Sequence, residues 1–237
     1  MIVRISARSA SVKPVPNGLK ALTGETAHWN SHKYSQDAQI FQKGEVAEYI
    51  YQIREGAVRT YQLLSDGRRQ IGAFYLPGDI FGIETEGRHR LTAEAIIDTT
   101  AWVARCHRLF QGFDESDLAY AGNIFEILYD GLEHARNHLL LLGRQEAYER
   151  VACFLLEMDR RLKKPAMIVL PMTRTDIADY LGLSIETVSR SMSLFRDRGV
   201  IRFNGQREVI LKDRTKLAEV ALSKYRHRDR MHPHCSD

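Results

Sequence analysis

Cysteine is scarce in this chain, with three in 237 residues, and Cys106, Cys153 and Cys235 fall at no spacing that a structural metal or a disulfide framework uses. That excludes a zinc-stapled or disulfide-rich scaffold and suits a reducing compartment. Long apolar runs are missing too. No stretch approaches the length that spans a bilayer, and the N-terminal MIVRISARSASVKPVPNG lacks an apolar signal core, so the expected location is cytoplasmic, with no membrane partner. Enzyme signatures are equally absent: there is no Walker A loop, no G-x-S-x-G elbow, no H-E-x-x-H and no dinucleotide fingerprint. The expectation is a protein with no catalytic residue, no metal and no cofactor.

What the chain does hold is a lopsided charge. Its formal net charge is +4, but residues 173–237 carry 13 Lys and Arg against 9 Asp and Glu, while residues 1–172 carry 21 of each. The whole excess therefore sits at the C-terminal end, where clustered cations give salt-sensitive attraction to phosphates. The last part of that excess, 224–237, has almost nothing apolar to bury and reads as a disordered basic tail.

The stretch Met172–Leu211 reads as two short helices joined at Leu181-Gly182-Leu183 and followed by a small β-hairpin, a winged helix-turn-helix. Thr173 is the expected cap of the first helix, with Asp176 closing a capping box. Ser184 is the expected cap of the second, whose Val188, Met192 and Leu194 are expected to face inward. Ile185, Glu186, Ser189 and Arg190 then lie on the opposite face. A carboxylate, a hydroxyl and a guanidinium from two successive turns form a donor and acceptor set suited to base edges in a major groove, so double-stranded DNA is the expected partner.

Earlier in the chain, short runs rich in Ile, Val, Tyr and Phe recur between turn signals at 42–45, Glu55-Gly56, Asp66-Gly67 and Pro77-Gly78-Asp79. They predict strands at Ala38–Phe41, Tyr49–Arg54, Ala57–Leu64, Gln70–Tyr75, Thr92–Ile97 and Ala101–Ala104, forming an antiparallel barrel or jelly roll. Between these strands and the helix-turn-helix, Leu118, Ala121, Phe125, Leu128, Leu132, Ala135, Leu139 and Leu142 alternate spacings of three and four. This a/d stripe, on roughly 37 Å of helix, asks for a partner helix and predicts a homodimer. Tyr120, Ile124, Ile127 and Leu141 form separate apolar positions for packing on the sheet. Two recognition helices would then meet a palindrome with half-sites about 34 Å apart.

In that order, a sheet domain, a long helix and a winged helix-turn-helix resemble the CRP/FNR superfamily of bacterial transcription regulators, over roughly Ala38–Leu222. Ile185-Glu186-Thr187-Val188-Ser189-Arg190 is similar to the E-x-x-S-R signature of the FNR branch, not the R-E-x-x-G-R of the cAMP-responsive branch. The resemblance implies an α+β chain with an N-terminal antiparallel β-roll of the cyclic-nucleotide-binding jelly-roll kind, a long dimerisation helix and a C-terminal winged helix-turn-helix. It implies that Arg190 donates to guanine, Glu186 accepts from cytosine or adenine, and Ser189 contacts thymine. Ile185 would join them at the base edges, with Thr173, Arg174, Ser184 and Thr187 at phosphates. The implied site is close to TTGAT-N4-ATCAA, and RNA polymerase is an implied partner.

Sensor signatures narrow the subgroup. The first cysteine is Cys106, so the N-terminal cluster that holds an iron–sulfur centre in oxygen-sensing FNR proteins is absent. Gly78-Asp79-Ile80-Phe81-Gly82 is followed by Ile83, and Thr92 is preceded by Leu91, where cAMP-binding members carry Glu and Arg. The remaining resemblance is to FixK-like regulators, which activate genes of low-oxygen respiration and nitrogen fixation. A nitric-oxide or haem-responsive regulator of the same family is the alternative, and an effector-binding module that docks on an enzyme is the reading from a different class. Cys106-His107 and the pair His134 and His138 lack a third ligand at a supporting spacing, so local structural roles are expected for them. The expected organisation is an irregular extension at 1–30, a β-roll at 31–112, the dimerisation helix at 113–143, the DNA-binding domain at 144–223 and the tail at 224–237.

Overall fold

The computed structural model describes residues 29–84, 86–105, 118–144, 146–162, 167–205 and 207–222. The remainder of the 1–30 extension, the 224–237 tail, Cys106, His107 and Cys235 lie outside the described residues. The chain divides into two compact units, Met1–Arg136 and Asn137–Asp237. The boundary falls inside the long helix.

The first unit holds β1 (Asn30–Tyr34), β2 (Gln39–Phe41), β3 (Tyr49–Leu63), β4 (Arg69–Tyr75), β5 (Ile80–Phe81) and β6 (Thr92–Arg105). All its strand pairs are antiparallel, in the order β1-β6-β3-β4, with β2 also on β6 and β5 also on β3. The expected antiparallel class holds, but four of the expected strands are two. Tyr49–Arg54 and Ala57–Leu64 form one strand, as do Thr92–Ile97 and Ala101–Ala104. The turn signal at Glu55-Gly56 marks a bulge: the register against β6 shifts on both sides of Glu55, and Gly56 has φ +99°. Thr99 seals the bulge from across the ladder. Its hydroxyl donates to Ile97 O at 2.7 Å, and Ala57 N donates to it at 3.1 Å. A bulge with glycine at positive φ bends a strand without ending it, so the strand runs on where local sequence signals a stop.

Two elements carry no signal of the kind the strand prediction used. β1 is polar and mostly exposed, hence without apolar alternation, and β5 is two residues long. Inside the roll, Phe41, Tyr51, Ile53, Val58, Phe81, Ala93 and Val103 form the main core, and the Tyr51 and Phe81 rings stack at 5.0 Å. A second cluster centres on Ile50 and Ala104, with Ile80, Ile83, Trp102 and Ile127 against it. Ile83 is thus committed to apolar packing. Arg90, beside Leu91, is paired with Glu84 and Glu86. Buried Arg59 ties β3 to β6 through Glu94 at 2.6 Å and reaches Asp37 at 3.1 Å.

Helix α1 (Leu118–Leu142) supplies Ile127 to that second cluster and leaves much of its stripe bare. Phe125 is 69% exposed, Leu132 66% and Leu139 69%, with Leu128 and Ala135 also exposed and Leu142 half-buried. The side chains of Leu118 and Ala121, and those of Tyr120 and Ile124, lie outside the described ones. Leu141 is buried.

A Cβ added at Gly56 would lie 2.4 Å from Thr99 Oγ1 and 2.6 Å from Asp98 O. Gly56→Ala is therefore expected to lower stability by about 2 kcal/mol or more, read as a lower urea midpoint at unchanged slope. Gly67→Ala, which also has positive φ but open space around it, is expected to cost only about 1–2 kcal/mol.

Candidate nucleic-acid interface

The second unit holds the end of α1, then α2 (Ala147–Leu162), β7 (Ile168–Val169), α3 (Arg174–Leu181), α4 (Ile185–Asp197), β8 (Ile201–Phe203), β9 (Glu208–Leu211) and α5 (Arg214–Ala221). α2 buries Val151, Ala152, Phe154, Leu155 and Met158 on one face. α5 is capped by Asp213 and tied to α2 by a bidentate pair from Arg214 to Asp159 at 2.7 and 2.8 Å. The hairpin β8–β9 gains a third strand, β7, which pairs with β9. That strand was not expected, because two residues carry no periodicity.

The caps form where the sequence places them. Thr173 Oγ1 accepts from Asp176 N at 3.1 Å, and the buried Asp176 carboxylate accepts from Thr173 N at 2.9 Å and from its hydroxyl at 2.8 Å. Ser184 Oγ accepts from Thr187 N at 3.2 Å and shares a hydrogen bond with the Thr187 hydroxyl at 3.0 Å. Gly182, at φ +62°, turns the chain between the helices in the left-handed region where glycine carries no Cβ penalty. The carbonyls just before it are met from elsewhere in the unit: Tyr180 O by His138 Nε2 at 2.8 Å and Leu181 O by Arg150 Nη1 at 3.1 Å. The His138 ring also stacks on Tyr180 at 3.9 Å. His138 is thus spent on this turn, and no group of three or more His, Cys, Asp or Glu suited to a metal occurs among the described residues.

α4 packs through Val188, Ser191, Met192 and Phe195. Leu194, expected inward, is only half-buried. At 100° per residue it lies well off the Val188 face, whereas Phe195, seven residues on, returns to it. Glu186 and Arg190 are exposed, Ser189 is half-buried, and Ile185 is 42% exposed. The Glu186 carboxyl is held below the usual carboxylate range, first by its own backbone N–H and then by the Ser184 hydroxyl, with Arg190 adding to the effect. It is an ionised acceptor at neutral pH.

Arg174, the first residue of α3, lies alongside this face. Its Nη1 donates to Ser189 Oγ at 3.4 Å, and its guanidinium carbon stands 5.4 Å from the centroid of Phe203 at the end of β8. Beneath it is a cleft of about 420 Å³ lined by Leu170, Met172, Ile177, Met192, Phe203 and Val209, with Thr173, Arg174 and Arg207 as its polar members. Of the four expected phosphate residues, Arg174 keeps guanidinium donors available among the described residues, while the Ser184 and Thr187 hydroxyls share one hydrogen bond with each other. Thr173 has both its N–H and its hydroxyl committed to Asp176. Phe203 and Arg150 are the residues that sequence reasoning missed, whereas His138 takes the local structural role expected of it. Half-buried Cys153 has its thiol pushed up by burial, which leaves a small packed side chain with no thiolate character.

A capped helix, a glycine turn, a second helix with an exposed acid–hydroxyl–guanidinium face and a three-stranded wing define a winged helix-turn-helix of the kind that transcription regulators use. Residues 149–220 match the Crp-like helix-turn-helix domain and residues 31–116 the cyclic nucleotide-binding domain. The chain is 41% identical over 190 residues to the nitrogen fixation regulation protein FixK of Azorhizobium caulinodans, covering 78% of this chain and 76% of that protein. It is 39% identical over 176 residues to the FixK of Rhizobium meliloti, covering 74% and 80%. The structure of FixK2 from Bradyrhizobium japonicum superposes with a TM-score of 0.76 at 48% identity, covering 81% of this chain and 97% of that one. This chain belongs to the CRP/FNR family of transcription regulators, with a DNA-binding helix-turn-helix, and its similarity runs to the FixK proteins within that family. It is a regulator, not an enzyme.

Asp176→Ala leaves two donors of Thr173 without their acceptor. The expected loss of stability is about 1–3 kcal/mol, with a smaller loss for Asp176→Asn, whose amide oxygen still accepts. Urea denaturation of the two variants side by side measures the difference.

Proposed function

We propose that this protein is a FixK-like activator that binds a TTGAT-N4-ATCAA-like palindrome as a homodimer and controls genes of low-oxygen respiration or nitrogen fixation. The observation that carries the reading is the exposed face of α4, where an ionised Glu186, the Ser189 hydroxyl and Arg190 stand beside the arginine of α3. In this reading Arg190 donates to guanine O6 and N7. Glu186 accepts from an amino group of cytosine or adenine, Ser189 contacts thymine, and Ile185 lies against the base edges. Arg174, Ser184 and Thr187 contact backbone phosphates, and Thr173 orients Arg174 through the cap. The regulatory role rests on the similarity to proteins named for nitrogen fixation regulation.

The dimer reading rests on the bare stripe of α1. Phe125, Leu128, Leu132, Ala135 and Leu139 are exposed along it, in line with Leu118, Ala121 and Leu142 of the same a/d pattern, and a two-fold pairing of such helices buries them together. RNA polymerase is the further partner an activator needs, and the cytoplasm is where all three meet.

Arg190→Ala is expected to cost about 1–3 kcal/mol on the specific site and to relax preference at one base. Arg174→Ala is expected to weaken all sequences alike and to reduce the slope of log K against log salt by about one. Gel shifts on the TTGAT palindrome and its single-base variants, run at several salt concentrations, separate the two, and full selectivity in the Arg190 variant overturns the assignment. Leu132→Asp places a charge in the proposed seam but on the exposed face of the single chain, so the protomer should fold to within about 0.5 kcal/mol of the parent. Sedimentation is expected to show a monomer, with operator binding lost; a variant that still binds as a dimer removes the seam.

A further inference from the structure

We propose that Phe203 of the wing is a positioning residue for DNA recognition, holding the Arg174 guanidinium against α4 and thereby setting the direction in which the Ser189 hydroxyl donates. This rests on the reading of α4 as the base-contacting helix. An exposed arginine has a long stem with many rotamers, and ordering it on a ligand costs entropy unless something holds it beforehand. Here a ring holds it. The guanidinium carbon lies 5.4 Å from the Phe203 centroid, within the range of cation–π attraction, and Nη1 reaches Ser189 Oγ at 3.4 Å. Phe203 is itself fixed at the end of β8, paired in register with the buried Val209 of β9. Three successive elements thus converge on one side chain.

The consequence for Ser189 follows from hydrogen-bond chemistry. A guanidinium is a donor only, so the hydroxyl must accept from it, and its single proton points elsewhere. Among the described residues the Ser189 hydroxyl makes no other hydrogen bond. That proton is left for an acceptor on a base edge, and thymine O4 or a purine N7 offers one in the major groove. Among the described residues the remaining guanidinium donors of Arg174 have no hydrogen-bond acceptor, which leaves them for phosphate. A contact with the DNA backbone and a contact with a base are therefore coupled through Arg174, and the wing ring keeps both in place.

The test is a double-mutant cycle on operator DNA. Phe203→Leu keeps apolar bulk in the wing but removes the π face. It is expected to raise the operator Kd roughly two- to fivefold for each helix-turn-helix bound, to flatten the salt dependence, and to weaken discrimination at the base that Ser189 contacts. Phe203→Trp, which keeps an aromatic face, is expected to restore all three. In an Arg174→Ala background the Phe203→Leu change is expected to have no further effect. An equal loss in that background, or no loss in the parent, overturns the proposal, because the ring would then act through wing packing or not at all. Arg190→Ala run on the same DNA keeps the two readings apart. If it leaves selectivity intact, the base-reading role of α4 fails and this inference fails with it; if selectivity falls while Phe203 and Arg174 show no coupling, the positioning role alone is removed.

Discussion

A helix of eight residues has as many backbone groups at its ends as in its middle, so what satisfies the ends decides whether it exists and where it points. α3 is such a helix. Two of its N-terminal donors, Thr173 N and Asp176 N, are met by the reciprocal Thr173–Asp176 box, and the carbonyls of Tyr180 and Leu181 are met by His138 and Arg150. Gly182 can then turn the chain so that α4 leaves at the angle a helix-turn-helix requires. Because His138 lies near the end of α1 and Arg150 on α2, the direction of α4 is set by side chains from two other helices. Everything the interface offers to a ligand hangs from that turn.

From it follows a division of labour on α4. The face that packs inward has no ionised group, only Val188, Met192, Phe195 and a serine whose hydroxyl donates to Thr187 O. The outer face carries a fully exposed acid, and backbone and hydroxyl donors at the helix N-terminus favour its carboxylate form further. An acceptor that remains an acceptor across the physiological range is a requirement for discriminating base edges.

The β-roll has a different character. Ile83 packs against the cluster of Ile50 and Ala104, and the nearby Arg90 is paired with two glutamates. His89 is buried against Phe41 with its pKa lowered by desolvation, so its ring serves as a packed aromatic at neutral pH. The roll keeps the fold of the domain it matches, with Ile83 half-buried, Arg90 ion-paired at the surface and His89 inside.

Features coded by neighbours along the chain were legible without coordinates. The capping box, the serine cap, the glycine turn and the acid–hydroxyl–guanidinium set each span a few residues, and helical geometry converts such spacing directly into position. The stripe of α1 was legible for the same reason, and so were the antiparallel class and the family. Other features were settled only by contacts between distant segments. Whether Gly56 made a turn or a bulge depended on Thr99 across the ladder, and Phe203 came to Arg174 only because β8 and α3 pack around one cleft. His138 became part of a helix end only because Tyr180 lay against it. Sequence spacing fixes an angle within one helix or strand, but it holds no information on which carbonyl or ring a distant segment will bring alongside. That is decided when burial closes the core.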